Sequence, residues 1–296
     1  MEKLDQLLTE ARNPETENLD QLSTLDMLRA MHAADRDVLT AVEQELPNIA
    51  QAVDTIVERL ENGGRLFYTG AGTSGRLGVL DASECPPTYN TPPELVQGLI
   101  AGGDVALRRS VERAEDDATQ GKRDLEAHGF NAKDALVGIA ASGRTPYVLG
   151  GINYARKLGA ATIGLSCVPG SHVAQRAEIA ITPAVGPEVV TGSTRMKAGT
   201  ATKLVLNMLS TGSLVRLGYV YGNLMVNVQP TNIKLRDRAA RIIATLAELP
   251  YDQATSLLDE AGSVKTAIVM QRLKLSRADA EARLAQVKGR LRKALN

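Results

Sequence analysis

The sequence contains no tryptophan, two phenylalanines and two cysteines among its 296 residues. Its apolar share of 44% therefore comes mainly from aliphatic side chains, and that share is ordinary for a globular protein. Cys85 and Cys167 are too few for a disulfide framework and do not have the spacing of metal ligands. They fit a reduced cell interior, so we expect a cytoplasmic protein.

The chain also lacks net charge, because lysine plus arginine and aspartate plus glutamate each number 34. A global positive field for nucleic acid is therefore missing, although a local anion site is not excluded. The first residues lack the basic-then-apolar pattern of a secretion signal, and no apolar run reaches the roughly 18 residues of a membrane span. We expect neither a nucleic-acid partner nor a membrane partner.

The most informative segment is a glycine-rich turn between an apolar run and a helical pattern. The run Leu66–Thr69 predicts a buried strand, and Gly70–Gly75 then leads into a helix predicted from Ser74 to Ala82. Such a turn aims backbone N–H groups and the positive end of the helix dipole at one point, which suits a phosphate. Thr73 and Ser74 add hydroxyl donors there.

The same glycines allow two other interpretations. Gly70, Gly72 and Gly75 spell G-x-G-x-x-G, the fingerprint of dinucleotide-binding loops. That fingerprint needs an acidic residue about 20 residues later, whereas Asp104 comes too late and after two glycines. Alternatively, the glycines only permit a tight turn, since glycine clusters are common in α/β chains.

From Arg65 onward, strand and helix patterns alternate, which predicts an α/β fold with a parallel sheet covered on both faces. Ligands bind such sheets at the carboxyl ends of the strands. The predicted strands are Leu66–Thr69, Val96–Ala101, Leu136–Ala141, Thr162–Cys167 and Ile179–Thr182. The later helices of this region are predicted at Asp117–His128, Pro146–Leu158, His172–Ala177 and Arg195–Leu217.

Helical patterns on both sides of the sheet predict three domains. Residues 1–64 form an N-terminal helical arm, 65–246 hold the sheet and the helix after it, and 247–296 form a small three-helix unit. The arm's helices are predicted from Ser23 or Thr24 to Glu43 and from Asn48 to Glu61. The helices of the last unit are predicted at Asp252–Ala261, Val264–Leu273 and Arg277–Leu295.

Three loops near the strand ends share glycines and hydroxyl groups. They are Gly70–Gly75, Ala141–Pro146 and Thr191–Lys197. Hydroxyls and N–H groups can surround a phosphate on several sides without a metal. We therefore predict substrate binding by Gly72, Thr73, Ser74, Ser142, Gly143, Arg144, Thr145, Ser193 and Arg195.

Three glutamates near these loops are candidates for chemistry or for substrate binding. Glu84 follows the first loop's helix, and Leu80 with Cys85–Pro87 should give it apolar surroundings. Glu115 follows the second predicted strand, and Glu188, which precedes the third loop, is predicted to bind substrate. For each of them, the ordinary alternative is a solvated surface acid.

Four stretches closely resemble the N-acetylmuramic acid 6-phosphate etherases, and the resemblance runs over nearly the whole chain. They are GAGTSGRLG at 70–78, DASECPPT at 81–88, AED at 114–116 and TGSTRMKAGT at 191–200. That family belongs to the sugar isomerase (SIS) superfamily of phosphosugar-binding folds. Its relatives carry an S-x-S-G-x-T phosphate loop; here Ala140 replaces the first serine, while Ser142, Gly143 and Thr145 match.

The resemblance implies a lyase that cleaves the D-lactyl ether of N-acetylmuramic acid 6-phosphate in cell-wall sugar recycling. It implies that Glu84 and Glu115 are the acid–base pair. The apolar neighbours of Glu84 in the sequence favour it as the acid, so we expect Glu115 to be the base that takes the C2 proton, and this chemistry needs no metal or redox cofactor. The resemblance further implies a homodimer, a SIS-type three-layer sandwich and a UBA-like C-terminal unit. A non-catalytic phosphosugar regulator and an aldose–ketose isomerase remain alternatives.

Overall fold

At the centre of the computed structural model, which describes residues 8–296, is a parallel sheet in the order β2-β1-β3-β4-β5. Every pairing in it is parallel. The strands are β1 Leu66–Gly70, β2 Val96–Ile100, β3 Ala135–Ile139, β4 Ala161–Leu165 and β5 Ile179–Ile181. The predicted α/β class and parallel direction are confirmed, and each strand lies within two residues of its predicted bounds.

The described residues divide into two compact units. The α/β unit consists of the residues up to Ser83 together with Glu94–Ser210, and the helical unit consists of Glu84–Pro93 together with Thr211–Asn296. The division into domains at 64/65 and 246/247 stays a prediction.

The sheet carries the core of the α/β unit. All residues of β1, β3 and β4 are buried, as expected of strands whose two faces are both covered. Phe67, Leu136 and Ile152 belong to one buried cluster. The helices that begin in this unit are α1 Thr24–Gln44, α2 Leu46–Glu61, α3 Gly72–Tyr89, α4 Val105–Arg108, α5 Ala118–Ala127, α6 Pro146–Leu158, α7 His172–Arg176 and α8 Lys197–Arg216.

Helix α3 corrects one expectation, because it continues through Pro86 and Pro87 to Tyr89. Each proline removes one backbone hydrogen bond from the helix, which favours an earlier end. Contacts within the helical unit hold this last turn instead. The Tyr89 hydroxyl donates to Thr211 Oγ1 at 3.1 Å, and Asn227 Nδ2 donates to the Tyr89 carbonyl at 2.6 Å.

The helical unit packs amphipathic helices around an aliphatic core that includes Ile243, Leu258 and Ile268. One long helix was expected from Arg277 to Leu295, but the chain breaks it where Lys288 and Gly289 take positive φ angles. Its helices are α9 Ile233–Ala247, α10 Tyr251–Ala261, α11 Val264–Leu273, α12 Arg277–Gln286 and α13 Leu291–Leu295. Within residues 8–296, no helix is long and apolar enough to cross a bilayer.

Candidate functional site

The turn after β1 depends on glycine at three positions. A Cβ atom on Gly75 would lie 2.6 Å from the carbonyl oxygen of Gly70, and one on Gly70 would lie 2.6 Å from the amide nitrogen of Gly75. Gly72 has a φ of +54°, in the left-handed region that side chains disfavour. The chain therefore turns sharply at the carboxyl end of β1 and enters α3 at Gly72, earlier than expected.

The loop after β3 lies at the same edge of the sheet, because β1 and β3 are parallel neighbours. Gly143 has a φ of +68°, and a Cβ atom there would lie 2.2 Å from Cβ of Ser171. The Gly143 amide donates to the Ala140 carbonyl at 2.8 Å, and its carbonyl accepts from the Val173 amide at 3.0 Å. This loop is thus a closed turn that presents Ser142, Arg144 and Thr145 as half-buried side chains.

The third polar loop approaches the first at helix α8. A Cβ atom on Gly199 would lie 3.6 Å from both Thr73 Cγ2 and the Thr194 carbonyl oxygen. Arg195 is exposed, whereas Ser193 is half-buried.

The hydroxyl groups of the three loops are available to a ligand. None of the side chains concerned makes a hydrogen bond or an ion pair within residues 8–296, and all are half-buried. They belong to Thr73, Ser74, Ser142, Thr145 and Ser193. Half-buried hydroxyls without protein partners near a helix N-terminus are suited to an anion.

Glu188 lies beneath the third loop and is 1% exposed. Its carboxylate accepts from the backbone amides of Lys197 and Ala198 at 2.9 Å and 3.0 Å, which satisfies two N–H groups at the start of α8. Burial, together with this carboxylate, raises the pKa of the Cys167 thiol to about 12. Both oxygens of Glu188 have backbone partners here, and its predicted part in substrate binding stays a prediction.

Glu115 lies in a short 3₁₀ turn, Ala114–Asp116, that opens onto a cavity of about 200 Å³. Gly72 of the loop after β1 lines the same cavity, so the predicted base and the first predicted phosphate loop lie beside each other. The remaining lining residues are Ala71, Arg76, Ala101, Ala106, Arg109, Ser110, Val111, Glu112, Arg113 and Ala114.

The three arginines of this cavity were missed by the sequence analysis. Arg76 follows the glycine loop, whereas Arg109 and Arg113 follow β2. The cavity forms because β2 pairs with β1. The Ala101 amide donates to the Gly70 carbonyl at 3.0 Å, so the residues after β2 lie beside the glycine loop. No local sequence signal reveals that proximity.

Glu84 lies on α3 in the part that belongs to the helical unit, and it is exposed. Its surroundings differ from those expected, because Leu80 is 54% exposed and Cys85 is the residue that this turn buries. The helical repeat explains this, since neighbouring residues point in directions about 100° apart.

The described residues hold no group of three or more His, Cys, Asp or Glu side chains arranged to bind a metal ion. Cys85 and Cys167 are both free and buried.

Comparisons with known proteins fit this geometry. The model of the glucokinase regulatory protein N-terminal SIS domain matches residues 48–156, and the SIS domain model matches 127–212. The N-acetylmuramic acid 6-phosphate etherase of Pasteurella multocida is 56% identical over 98% of this chain and 96% of its own length. The chain belongs to the N-acetylmuramic acid 6-phosphate etherase family. A second etherase, from Cronobacter sakazakii, is 55% identical over 99% of both chains.

A solved structure supports the fold alone. The phosphoheptose isomerase from Neisseria gonorrhoeae has a TM-score of 0.51 at 18% identity, covering 64% of this chain and 98% of its own. The expected etherase family, its enzymatic character and the SIS-type fold are confirmed.

Proposed function

We propose that this chain is a carbon–oxygen lyase that converts N-acetylmuramic acid 6-phosphate and water to N-acetylglucosamine 6-phosphate and D-lactate. The observation that carries the proposal is the position of Glu115 beside Gly72, in a chain more than half identical to named etherases over nearly its whole length. The reaction places the enzyme in amino-sugar catabolism, where cell-wall sugars are recycled.

The proposed chemistry begins by making the C2 hydrogen acidic. Opening of the sugar ring frees an aldehyde at C1, which stabilises negative charge that develops at C2. Glu115 takes the C2 proton, the C3–O bond breaks, and Glu84 donates a proton to the departing lactate oxygen. Water then adds at C3 with Glu84 as base, and the proton held by Glu115 returns to C2. These steps need no metal or redox cofactor.

The phosphate is held by the polar loops in this proposal. Thr73, Ser74, Ser142, Thr145 and Ser193 donate hydroxyl hydrogen bonds to it, and the N–H groups at the start of α3 contribute their positive ends. Gly72 and Gly143 let the backbone approach closely, and Arg144 and Arg195 supply charge. Because the phosphate does not react, these contacts should be equal in the ground and transition states.

A homodimer in the cytoplasm completes the proposal. Helix α1 exposes three leucines, Leu25 at 57%, Leu28 at 51% and Leu39 at 67%. They lie on one side of the helix, and a second subunit would cover them. Light scattering on the purified chain should give twice the monomer mass of 31.5 kDa.

Incubation of the protein with N-acetylmuramic acid 6-phosphate tests the function directly. Release of D-lactate and N-acetylglucosamine 6-phosphate is expected. Tight binding without turnover would favour a phosphosugar regulator, and conversion of an aldose phosphate to a ketose phosphate would favour an isomerase. Either result without D-lactate would overturn the proposal.

A further inference from the structure

The cavity beside Glu115 contains guanidinium groups to which the proposed chemistry gives no role. Arg76, Arg109 and Arg113 line it together with Glu112 and Glu115. Arg76 donates from Nε to the Leu107 carbonyl at 3.1 Å, so one edge of this guanidinium is bound to the protein. The side chains of Arg109 and Arg113 make no hydrogen bond or ion pair within residues 8–296.

This cavity is distinct from the hydroxyl cluster assigned to the phosphate. Its lining includes Ala71 and Gly72 of the first loop, but none of the five hydroxyl residues proposed to hold the phosphate. The α/β unit thus offers hydroxyl donors in one place and guanidinium donors in another. A guanidinium presents two parallel N–H groups that match a carboxylate.

The proposed substrate carries two anionic groups with different positions. One is the phosphate at C6, and the other is the carboxylate of the lactyl group on the C3 oxygen. The C2 hydrogen taken by Glu115 is on the carbon next to C3, so the lactyl carboxylate must lie near this base. Two carboxylates in a cavity repel each other unless a cation lies between or beside them.

We infer that Arg109 binds the lactyl carboxylate and thereby makes the enzyme specific for the muramic sugar over other hexosamine phosphates. The inference rests on the proposed function and assigns a further binding residue to it. Arg109 is favoured over Arg76, whose Nε is already bound. Arg109 is also the better position to test than Arg113, because Arg113 has a φ of +61° and its substitution would disturb the backbone that leads into Glu115.

The expected kinetic signature follows from the charge of the lactyl group. Its carboxylate stays ionised in the substrate, in the transition state and in free D-lactate. Arg109 therefore binds the ground state and the transition state about equally, and its loss should raise KM more than it lowers kcat. The product N-acetylglucosamine 6-phosphate lacks this carboxylate and should not depend on Arg109.

The test compares Arg109→Gln with Arg108→Gln. Arg108 and Arg109 are both exposed, but only Arg109 lines the cavity, so Arg108 is a matched control for charge. Arg109→Gln should raise KM for N-acetylmuramic acid 6-phosphate by about 10- to 100-fold, as expected for a lost charge-assisted hydrogen bond. The inhibition constant of N-acetylglucosamine 6-phosphate should stay unchanged, and Arg108→Gln should resemble the parent in both measurements.

Three results would overturn the inference: an unchanged KM in Arg109→Gln, an equal rise in KM and in the inhibition constant, or an equal effect of Arg108→Gln. The equal rise would assign Arg109 to the phosphate. If the parent releases no D-lactate, the proposed function fails. Calorimetry then tests separately whether Arg109 binds the lactyl carboxylate. Parent protein should still bind the muramic phosphate more tightly than the glucosamine phosphate, and Arg109→Gln should lose that preference.

Discussion

Helix α8 of the α/β unit and helices α11 and α12 of the helical unit begin by different means. In the α/β unit, α8 begins on the buried carboxylate of Glu188, which comes nine residues before the first amide that it accepts. In the helical unit, α11 and α12 begin on the exposed hydroxyls of Ser263 and Ser276, each bound to an amide three residues later. The cap of α8 is a buried charge that joins the two ends of a long loop, whereas the caps of α11 and α12 are local and in contact with water.

The buried Glu188 cap also fixes the shape of the third polar loop. Ser193 and Arg195 lie between Glu188 and the start of α8, so the buried carboxylate holds together both ends of their loop. A buried charge costs free energy to desolvate, and its bonds to N–H groups must offset that cost. We therefore expect a substitution at the buried Glu188 to cost more stability than a substitution at an exposed serine cap.

The largest effect should come from the proposed catalytic glutamates. Glu115→Ala and Glu84→Ala should each lower D-lactate release by about 10²- to 10⁴-fold, the usual contribution of a general acid or base. Glu84→Ala should retain exchange of the C2 hydrogen with solvent deuterium, because deprotonation comes first, whereas Glu115→Ala should lose exchange as well.

Mass spectrometry of recovered substrate measures that exchange. Normal exchange in Glu115→Ala with none in Glu84→Ala would show that the two roles are reversed. D-lactate release at the parent rate in both variants would show that this pair is not catalytic and would favour a regulator.

Removal of the buried carboxylate should have the next largest effect. Glu188→Ala leaves two amides at the start of α8 without their acceptor, so the free energy of unfolding should fall by about 3 kcal/mol. Glu43→Ala is the control, since Glu43 is exposed on α1 and should change stability by less than about 0.5 kcal/mol. Urea unfolding measures both losses, and equal losses would show that the Glu188 carboxylate does not stabilise the start of α8 as proposed.

Removal of a local cap should cost less. Ser263→Ala takes away the hydroxyl that accepts from the Thr266 amide at 3.1 Å, and a loss of about 1 kcal/mol is typical of such caps. Ser256→Ala, within α10, should be nearly neutral, because its hydroxyl only donates to the Asp252 carbonyl. If Ser263→Ala lowered the free energy of unfolding as much as Glu188→Ala, the buried cap would be no stronger than the exposed one.

The smallest effect concerns pH and Lys265 of the helical unit. Burial lowers the pKa of Lys265 from 10.5 to about 8, although its Nζ donates to the Gly289 carbonyl at 2.7 Å. Between these two values the unfolded chain holds a proton that the folded chain has lost. The free energy of unfolding should therefore rise with pH in this window, by about half a kcal/mol from pH 7.5 to 8.5.

Thermal unfolding across that range tests the expectation. Lys265→Met should remove this part of the rise, while Lys293→Met, at an exposed lysine of α13, should keep it. The slope with pH is the quantity to compare, because Lys265→Met also leaves the Gly289 carbonyl without its donor. Identical slopes in the two variants would show that Lys265 does not titrate as proposed.

Local signals made much of the fold predictable. The bounds of α6 and α11 match the prediction at both ends. Pro146 starts α6 and Gly159 ends it with a positive φ, while Ser263 caps α11. The strands were predictable because each is a short apolar run between helical patterns, which a parallel sheet buried on both faces requires.

Features that depend on distant contacts were not predictable in the same way. Prolines 86 and 87 argued for an earlier end of α3, but Thr211 and Asn227 hold its last turn. Glu188 was predicted to bind substrate from its place before a polar loop, and only the fold brings it to the amides of Lys197 and Ala198. The exposure of Glu84 likewise depends on which side of α3 is covered.

The sequence by itself determined the α/β class, the glycine turn after β1 and the hydroxyl-rich loops, because each follows from neighbours in the chain. Tertiary structure decided that Glu115, Gly72 and Arg109 line one cavity, since that proximity follows from the pairing of β2 with β1. It also decided that Glu188 is a buried helix cap. Strand order and helix packing join residues far apart in the chain, and no local pattern of side chains records those distances.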